Sequence, residues 1–237
     1  MSKKLIAIQK TQRAVEMAMQ AVIDYLKTHP TPTSERAHEI IDEVLTEHGC
    51  ESPERHIVTS GIQSHEPHEE GTGLIEQGVP IVIDIYPRST ESGYFADMTR
   101  TVCIGTSPFE LQRMYGTVLE AQNMAISMLA PGVRCSDVHN VVAEFFINQG
   151  YETNGKGSEF TYAEGFVHAL GHGVSTKIHD KPTLSPKSED ILQEGDVITI
   201  EPGLYYKHIG GIRIEDMFVI TETGVERITQ FPHLFQI

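Results

Sequence analysis

IEQGVPIVIDI (residues 75–85) returns 117 residues later as LQEGDVITIEP (192–202). Each stretch carries a glycine six residues before an acid, Gly78 before Asp84 and Gly195 before Glu201. Both are apolar and rich in β-branched side chains, which predicts buried strands that end on a carboxylate. A second pair follows: YFADMTRTV (94–102) matches IRIEDMFVI (212–220), so Asp97 aligns with Glu215. Each half therefore reads as a hairpin with two acids.

The duplication extends upstream. TPTSERAHEIIDEVLTEHG (31–49) resembles GVRCSDVHNVVAEFFINQG (132–150), with Ser34 aligned to Ser136 and Gly49 to Gly150. Ser34 and Ser136 are expected to cap the helices that follow, each with an acid close behind to suit the helix dipole. Residues 4–28 set Leu5, Ile8, Val15, Ala18, Val22 and Leu26 along one helical stripe, and 109–129 repeat it with Leu111, Tyr115, Val118, Ala121, Ala125 and Met128. A repeat near one hundred residues is far too long for a solenoid. The expected fold is α+β: pseudo-twofold, duplicated helix-helix-hairpin halves, about 1–105 and 106–237, around a central curved antiparallel sheet. The offset between halves is 101–102 residues in the helices and 117–118 in the strands. The excess lies in a Gly- and His-rich segment, roughly 153–190, where functional loops are expected.

No Pro/Ser-rich linker separates the halves, so 1–237 is read as one catalytic domain with one shared core. A net charge of −15, from 33 acids against 18 Lys and Arg, excludes a nucleic-acid binder. Three cysteines, Cys50, Cys103 and Cys135, have no CxxC spacing and read as buried thiols in a reducing, cytoplasmic setting. No apolar run approaches the roughly 20 residues of a membrane span, and the start of the chain lacks a signal-peptide core.

A lone Asp at a strand end is ordinarily a turn residue. Four acids at duplicated positions in apolar runs are different, because clustered buried carboxylates repel and resist ionisation unless a cation sits among them. Between the halves lie His168, His172 and His179. His168 and His172 have i, i+4 spacing, but Ala169 stands where a zincin needs glutamate. Four carboxylates and one imidazole suit two divalent ions such as Mn, Co, Fe or Zn rather than a thiolate zinc site. Neither GxSxG nor a phosphate-binding GxxxxGK[ST] occurs.

VIDI, GYFADMTRT, HALGHGVSTKIHD, TIEPGLYY and GIRIED stand in the order of the motifs of the pita-bread metallopeptidases: aminopeptidase P, prolidase and methionine aminopeptidase. The resemblance covers about residues 5–235. It implies that Asp84 chelates one metal, that Asp97 and Glu215 bridge two, and that His172 and Glu201 complete the second. It also implies that Glu201 takes a proton from a metal-bridging hydroxide's parent water. His179 would meet the substrate carbonyl, and His68 would help position the scissile bond, with His65 as its competitor. His168 and Arg213 match residues beside the substrate in the proline-directed branch. The bland alternatives are a hydrogen-bonded core histidine for His168 and an ion-pair anchor of Glu215 for Arg213.

GIRIED and the APGV-helix-QGY stretch (130–151) resemble the X-Pro branch, and the HGIP-like motif of methionine aminopeptidases is absent. The implied activity is cleavage between an N-terminal residue and proline, on a peptide substrate, by a catalytic domain without the family's usual N-terminal domain. Family analogy admits a homodimer. Methionine aminopeptidase-like activity and a non-catalytic peptide-binding relative are the competing readings. Two local departures stand out: Ile85-Tyr86-Pro87 replaces a small, Gly-containing stretch, and Val174-Ser175 follows GHG.

Overall fold

The apolar stripe of the N-terminal segment forms α1 (Lys3–Thr28), whose Val15, Ala18, Met19, Val22 and Leu26 are buried. The computed structural model describes residues 2–153 and 164–237. The start of the long His-bearing segment, 154–163, lies outside the described residues. After α1 come α2 (Ser34–Glu47), β1 (Cys50–Glu51), β2 (Ile57–Ser60), a 3-10 turn (Gly61–His65), β3 (Ile81–Ile85), β4 (Arg88–Ser89) and β5 (Met98–Val102). The second half repeats the order with α3 (Phe109–Met128), α4 (Cys135–Asn148), β6 (Gly171–Gly173), β7 (Asp180–Leu184) and β8 (Val197–Ile200). It ends with β9 (Gly203–Tyr206), β10 (Gly210–Arg213), β11 (Asp216–Thr221) and β12 (Gly224–Arg227). The α+β, helix-helix-hairpin duplication read from the sequence is present.

All named strand pairs are antiparallel: β2-β3-β5 in one half, β12-β11-β8-β6-β7 in the other, with β9-β10 and β1-β4 as separate ribbons. The halves join along β5. Glu215 N–H donates to Thr99 O (3.1 Å), while Thr101 Oγ1 accepts from Arg213 N–H (2.9 Å) and donates to Arg213 O (2.8 Å). The hairpins differ in register. Asp84 is level with Thr99, two residues past Asp97, whereas Ile200 is level with Asp216, so Glu201 and Glu215 lie one step beyond. A two-residue slip keeps each side chain on its face, because strand alternation has period two.

Two expectations are corrected. Thr33, not Ser34, caps α2, accepting from Arg36 N–H, and α4 starts after Arg134 with no side-chain cap. Ser34 and Ser136 fall inside their helices and are buried, so they serve packing rather than capping. The apolar interior is also two clusters rather than one. The first packs α1 on β3 and β5 and α2 on β1 and β2; the second packs α3 on β8 and the β9-β10 ribbon and α4 on β7. Strand β11 is buried on both faces and alternates between them, with Met217 and Val219 in the first cluster and Phe218 and Ile220 in the second. Between the clusters runs a polar band that includes Thr99, Arg100, Gln122, Arg213, Glu215 and Asp216, all buried. That band prevents a single shared core and places polar chemistry at the centre.

Candidate metal centre

Strand ends deliver the acids. Asp84 is the penultimate residue of β3, Asp97 directly precedes β5, Glu201 directly follows β8 and Glu215 directly precedes β11. His172 sits mid-strand in β6 between two glycines. A Cβ on Gly171 would lie 2.0 Å from Thr199 O, and one on Gly173 2.1 Å from Lys181 O. Only glycine lets β6 lie this close to its neighbours, so GHG is a packing requirement that fixes where the imidazole points. His168 lies in the loop before β6, so the two histidines share no helix.

One cavity of about 290 Å³ is lined by Asp84, Asp97, His172, Glu201, Glu215, His68, His168, His179 and Arg213, together with Glu54, Ile57, Pro67, Tyr86, Ala169, Ile178 and Thr183. Every site residue read from the sequence reaches it. Ligand atoms of Asp97, His172 and Glu215 lie within 4.8 Å of one another. His172 Nε2 is 3.3 Å from Glu201 Oε1 and 3.6 Å from Asp97 Oδ2.

The donor set fits divalent cations on three counts. Asp84 Oδ1, Asp97 Oδ1 and Glu215 Oε1 are buried with no hydrogen-bond partner among the described residues, an arrangement that is destabilising unless a positive charge meets them. His172 Nδ1 lies 3.1 Å from Gly173 O, which accepts its proton and leaves the Nε2 lone pair facing carboxylates. A histidine ligand is commonly oriented by such a carbonyl. Finally, burial lowers the His172 pKa, so the ring is held neutral as a ligand must be.

The acids show the same frustration. Burial first, then the charges of its acidic neighbours, raises Asp97 well above the usual carboxylate range. Glu215 is raised well above its usual range by burial and by Glu201 and Asp84. Burial lifts Glu201 to about 7. Arg213 is the cationic side chain beside them, and its Nη2 donates to Asp84 Oδ2 at 2.8 Å.

Comparison with known proteins decides the lineage: residues 7–222 match the profile of metallopeptidase family M24. The chain belongs to family M24. Among curated relatives, it is 36% identical over 227 residues to the Xaa-Pro dipeptidase of Pyrococcus furiosus, covering 94% of this chain and 61% of that protein. The crystal structure of the prolidase from Pyrococcus horikoshii OT3 superposes with a TM-score of 0.87 at 31% identity, over 98% of this chain and 63% of that one. The X-Pro aminopeptidase from Thermotoga maritima gives 0.87 at 30% identity, over 99% of this chain and 62% of that one. The chain thus spans about three fifths of the length of these M24 relatives.

Beyond the acids, the cavity has a wall in which sequence reasoning placed Arg213 and His168 but missed Tyr205, the residue that connects them. Tyr205, buried in β9, accepts a hydrogen bond from Arg213 Nη1 (2.8 Å) and donates its own proton to His168 Nε2 (2.9 Å). That direction follows from His168 Nδ1, which gives its proton to Ala169 O at 2.7 Å. Burial, then the Arg213 charge, lowers His168 to about 3, so it stays neutral. A chain Asp84–Arg213–Tyr205–His168 therefore runs along one side of the cavity. Arg213 does anchor an acid, but the acid is Asp84 rather than Glu215. Tyr205 stood in the quoted TIEPGLYY motif; nothing in an apolar strand distinguishes a bridging tyrosine from a packed one.

His68 lines the cavity and is exposed, whereas His65 turns its Nδ1 to Ile62 O (2.7 Å) and lies off the cavity wall. His179 is exposed at the opening, its ring 4.6 Å from that of His172 in an edge-on contact. Burial and the neighbouring His172 lower its pKa. Thr99 and Thr199 were also missed. Thr99 Oγ1 donates to Glu215 Oε2 (2.8 Å) and Thr199 Oγ1 to Glu201 Oε1 (3.2 Å), so each orients one acid. Threonine suits any strand by its branching alone, which hid that second role.

Proposed function

We propose that this chain is the catalytic domain of a metal-dependent exopeptidase that hydrolyses the bond between an N-terminal residue and proline. The observation that carries it is the meeting of four carboxylates and one neutral imidazole from both halves at one cavity, three of them with bare buried oxygens. Relatives described as Xaa-Pro dipeptidase, prolidase and X-Pro aminopeptidase support the proline preference. Two divalent cations, drawn from Mn, Co, Fe and Zn, are the group this donor set suits. Asp84 would hold one, His172 and Glu201 the other, and Asp97 and Glu215 both. Such ions supply Lewis acidity, which activates water at about neutral pH and polarises a carbonyl.

The side chains handle the protons and the orientation. Glu201 accepts a proton from the attacking water and returns it to the proline nitrogen as the C–N bond breaks, yielding a free carboxylate and a free imino acid. The nitrogen of an X-Pro bond carries no hydrogen, so a site that grips the carbonyl and protonates the leaving nitrogen accepts it where a site that grips N–H does not. His179, kept neutral, and His68 stand at the opening to donate to the carbonyl oxygen as negative charge grows there. His168 and Arg213 form the side against which the substrate lies. The three buried, unpaired cysteines suit a reducing cytoplasm.

A peptide panel with Mn or Co added tests this. X-Pro dipeptides or longer X-Pro peptides should be cut faster than sequence-matched X-Ala controls. Cleavage of Met-initiated peptides with every X-Pro substrate left intact would overturn the branch. Metal analysis after reconstitution should find about two ions per chain; well below one would favour a binding protein without catalysis.

A further inference from the structure

Among the described residues, Glu54 is the one acid on the cavity wall that the proposed chemistry leaves unused. It sits on the loop between β1 and β2, is exposed, and makes no hydrogen bond or ion pair among the described residues. Its neighbour Arg55 does not neutralise it, because Arg55 pairs with Glu70 at 3.3 Å. Beside Glu54 the wall is a fixed aromatic ring, Tyr86, with Ile57 and Ile178.

That ring is locked. Tyr86 donates its hydroxyl proton to Arg55 O, and its backbone N–H donates to His56 Nδ1 at 3.3 Å. With Nδ1 accepting, neutral His56 carries its proton on Nε2 and gives it to Ser52 Oγ (2.6 Å), which donates onward to Asp42 Oδ1 (3.0 Å). This Ser-His-Asp set is no nucleophile, since the serine proton goes to the aspartate. It straps the loop bearing Glu54 against the strand that bears Asp84.

We infer that Glu54, with Tyr86, Ile57 and Ile178, forms a subsite for a lysine or arginine side chain on the residue that precedes proline. An aliphatic stem with a terminal cation matches a wall that offers apolar side chains and an aromatic ring together with a carboxylate. The substrate's α-ammonium does not compete for Glu54. It lies two bonds from the scissile carbonyl carbon and so belongs among the buried acids, whereas Glu54 is at the exposed opening. The net charge of −15 draws cationic peptides toward the cavity from solution.

The inference rests on the exopeptidase reading, so its test has a readout independent of turnover. First, kcat/KM is compared for Lys-Pro, Leu-Pro and Glu-Pro in wild type, Glu54→Gln and Glu54→Lys. Second, calorimetry measures binding of reduced-bond analogues of Lys-Pro and Leu-Pro to the metal-loaded protein. Wild type should favour Lys over Leu, and Glu54→Gln should lower the Lys signal about fivefold in both assays, the worth of a partly solvated ion pair, with Leu nearly unchanged. Glu54→Lys should reverse the order of Lys-Pro and Glu-Pro. Equal effects on Lys and Leu, or none, would overturn the subsite. Persistent Lys selectivity in binding with no X-Pro hydrolysis would keep the subsite and sink the exopeptidase reading.

Discussion

Glu215 and Asp216 are adjacent, both buried, and held in opposite electrostatic states. Asp216 takes Arg100 Nη2 on one oxygen at 2.7 Å, and His233 Nε2 at 2.9 Å with Gln122 Nε2 at 3.1 Å on the other. Burial works to raise its pKa, but the His233 hydrogen bond and the Arg100 guanidinium outweigh it and hold the carboxyl at about 2. Glu215 has Thr99 on one oxygen, no partner among the described residues on the other, and three acids around it, and its pKa is pushed the other way. Strand alternation sends these neighbours to opposite faces. One face is electrostatically closed by protein; the other is complete only with a cation. Burial of a carboxylate says little by itself, and what its oxygens lack says much more.

Asp97→Ala should break the open face. Metal content by elemental analysis and kcat/KM should both collapse, the rate by at least about a thousandfold, near 4 kcal/mol of transition-state stabilisation. Chelated, metal-free Asp97→Ala should be no less stable than chelated wild type, because one repelled acid is gone. Unchanged metal content would refute the assignment of Asp97.

Asp216→Asn breaks the closed face instead. It leaves Arg100 buried without its counter-charge, so urea denaturation should show a loss of about 3–5 kcal/mol, while metal bound per folded chain stays at the wild-type level. Loss of metal without loss of stability would mean that the two faces had been confused.

His179→Ala should keep its metal and lose about a hundredfold in kcat, roughly 2.7 kcal/mol, since its proposed contact is made as charge develops on the carbonyl oxygen. Loss of metal as large as in Asp97→Ala would make His179 a ligand.

The pH response should separate the two faces with the smallest effect. The folded pKa of Asp216 is depressed from an ordinary 3.8 to about 2. Its contribution, about 2 kcal/mol, is present above the unfolded value and lost as pH falls from about 4 to about 2. In Asp216→Asn that portion of the acid slope should disappear. The open face has the opposite sign. Asp97 and Glu215 bind protons more tightly when folded, so in chelated protein their own contribution to stability falls as pH rises above the ordinary carboxylate range. Melting temperatures of chelated wild type and chelated Asp97→Ala at about pH 5 and about pH 8 would show it, since buried neutral histidines such as His168 act with the opposite sign equally in both proteins; the same pH dependence in the two contradicts the frustrated cluster.

Much of the centre was legible because chemistry restricts it. Duplicated acids at the ends of apolar strands, with GHG between, leave few physical alternatives to a cation site. The helices were readable from periodicity, and α1 and α3 begin and end within about a residue of the stripes. Caps were less so: Thr33 and Ser34 are both good caps, and which one takes the Ncap position depends on the chain's path over the sheet. The choice of His68 over His65 follows from a 3-10 turn that ties His65 to its own backbone, which spacing does not reveal.

From the linear chain alone came the duplication, the element order and the four acids that gather at one cavity, because strand and helix periods and the repulsion of clustered acids act through residue type and spacing. Folding in three dimensions decided which acid Arg213 would hold, why Glu215 and Asp216 part company, that Tyr205 would bridge to His168, and that Glu54 would stand beside a strapped Tyr86 without a partner among the described residues. Those outcomes depend on which atoms from residues more than a hundred positions apart come within hydrogen-bond reach, as Asp84 and Arg213 do at 2.8 Å. Distances of that kind are set by packing across the two clusters, not by order along the chain.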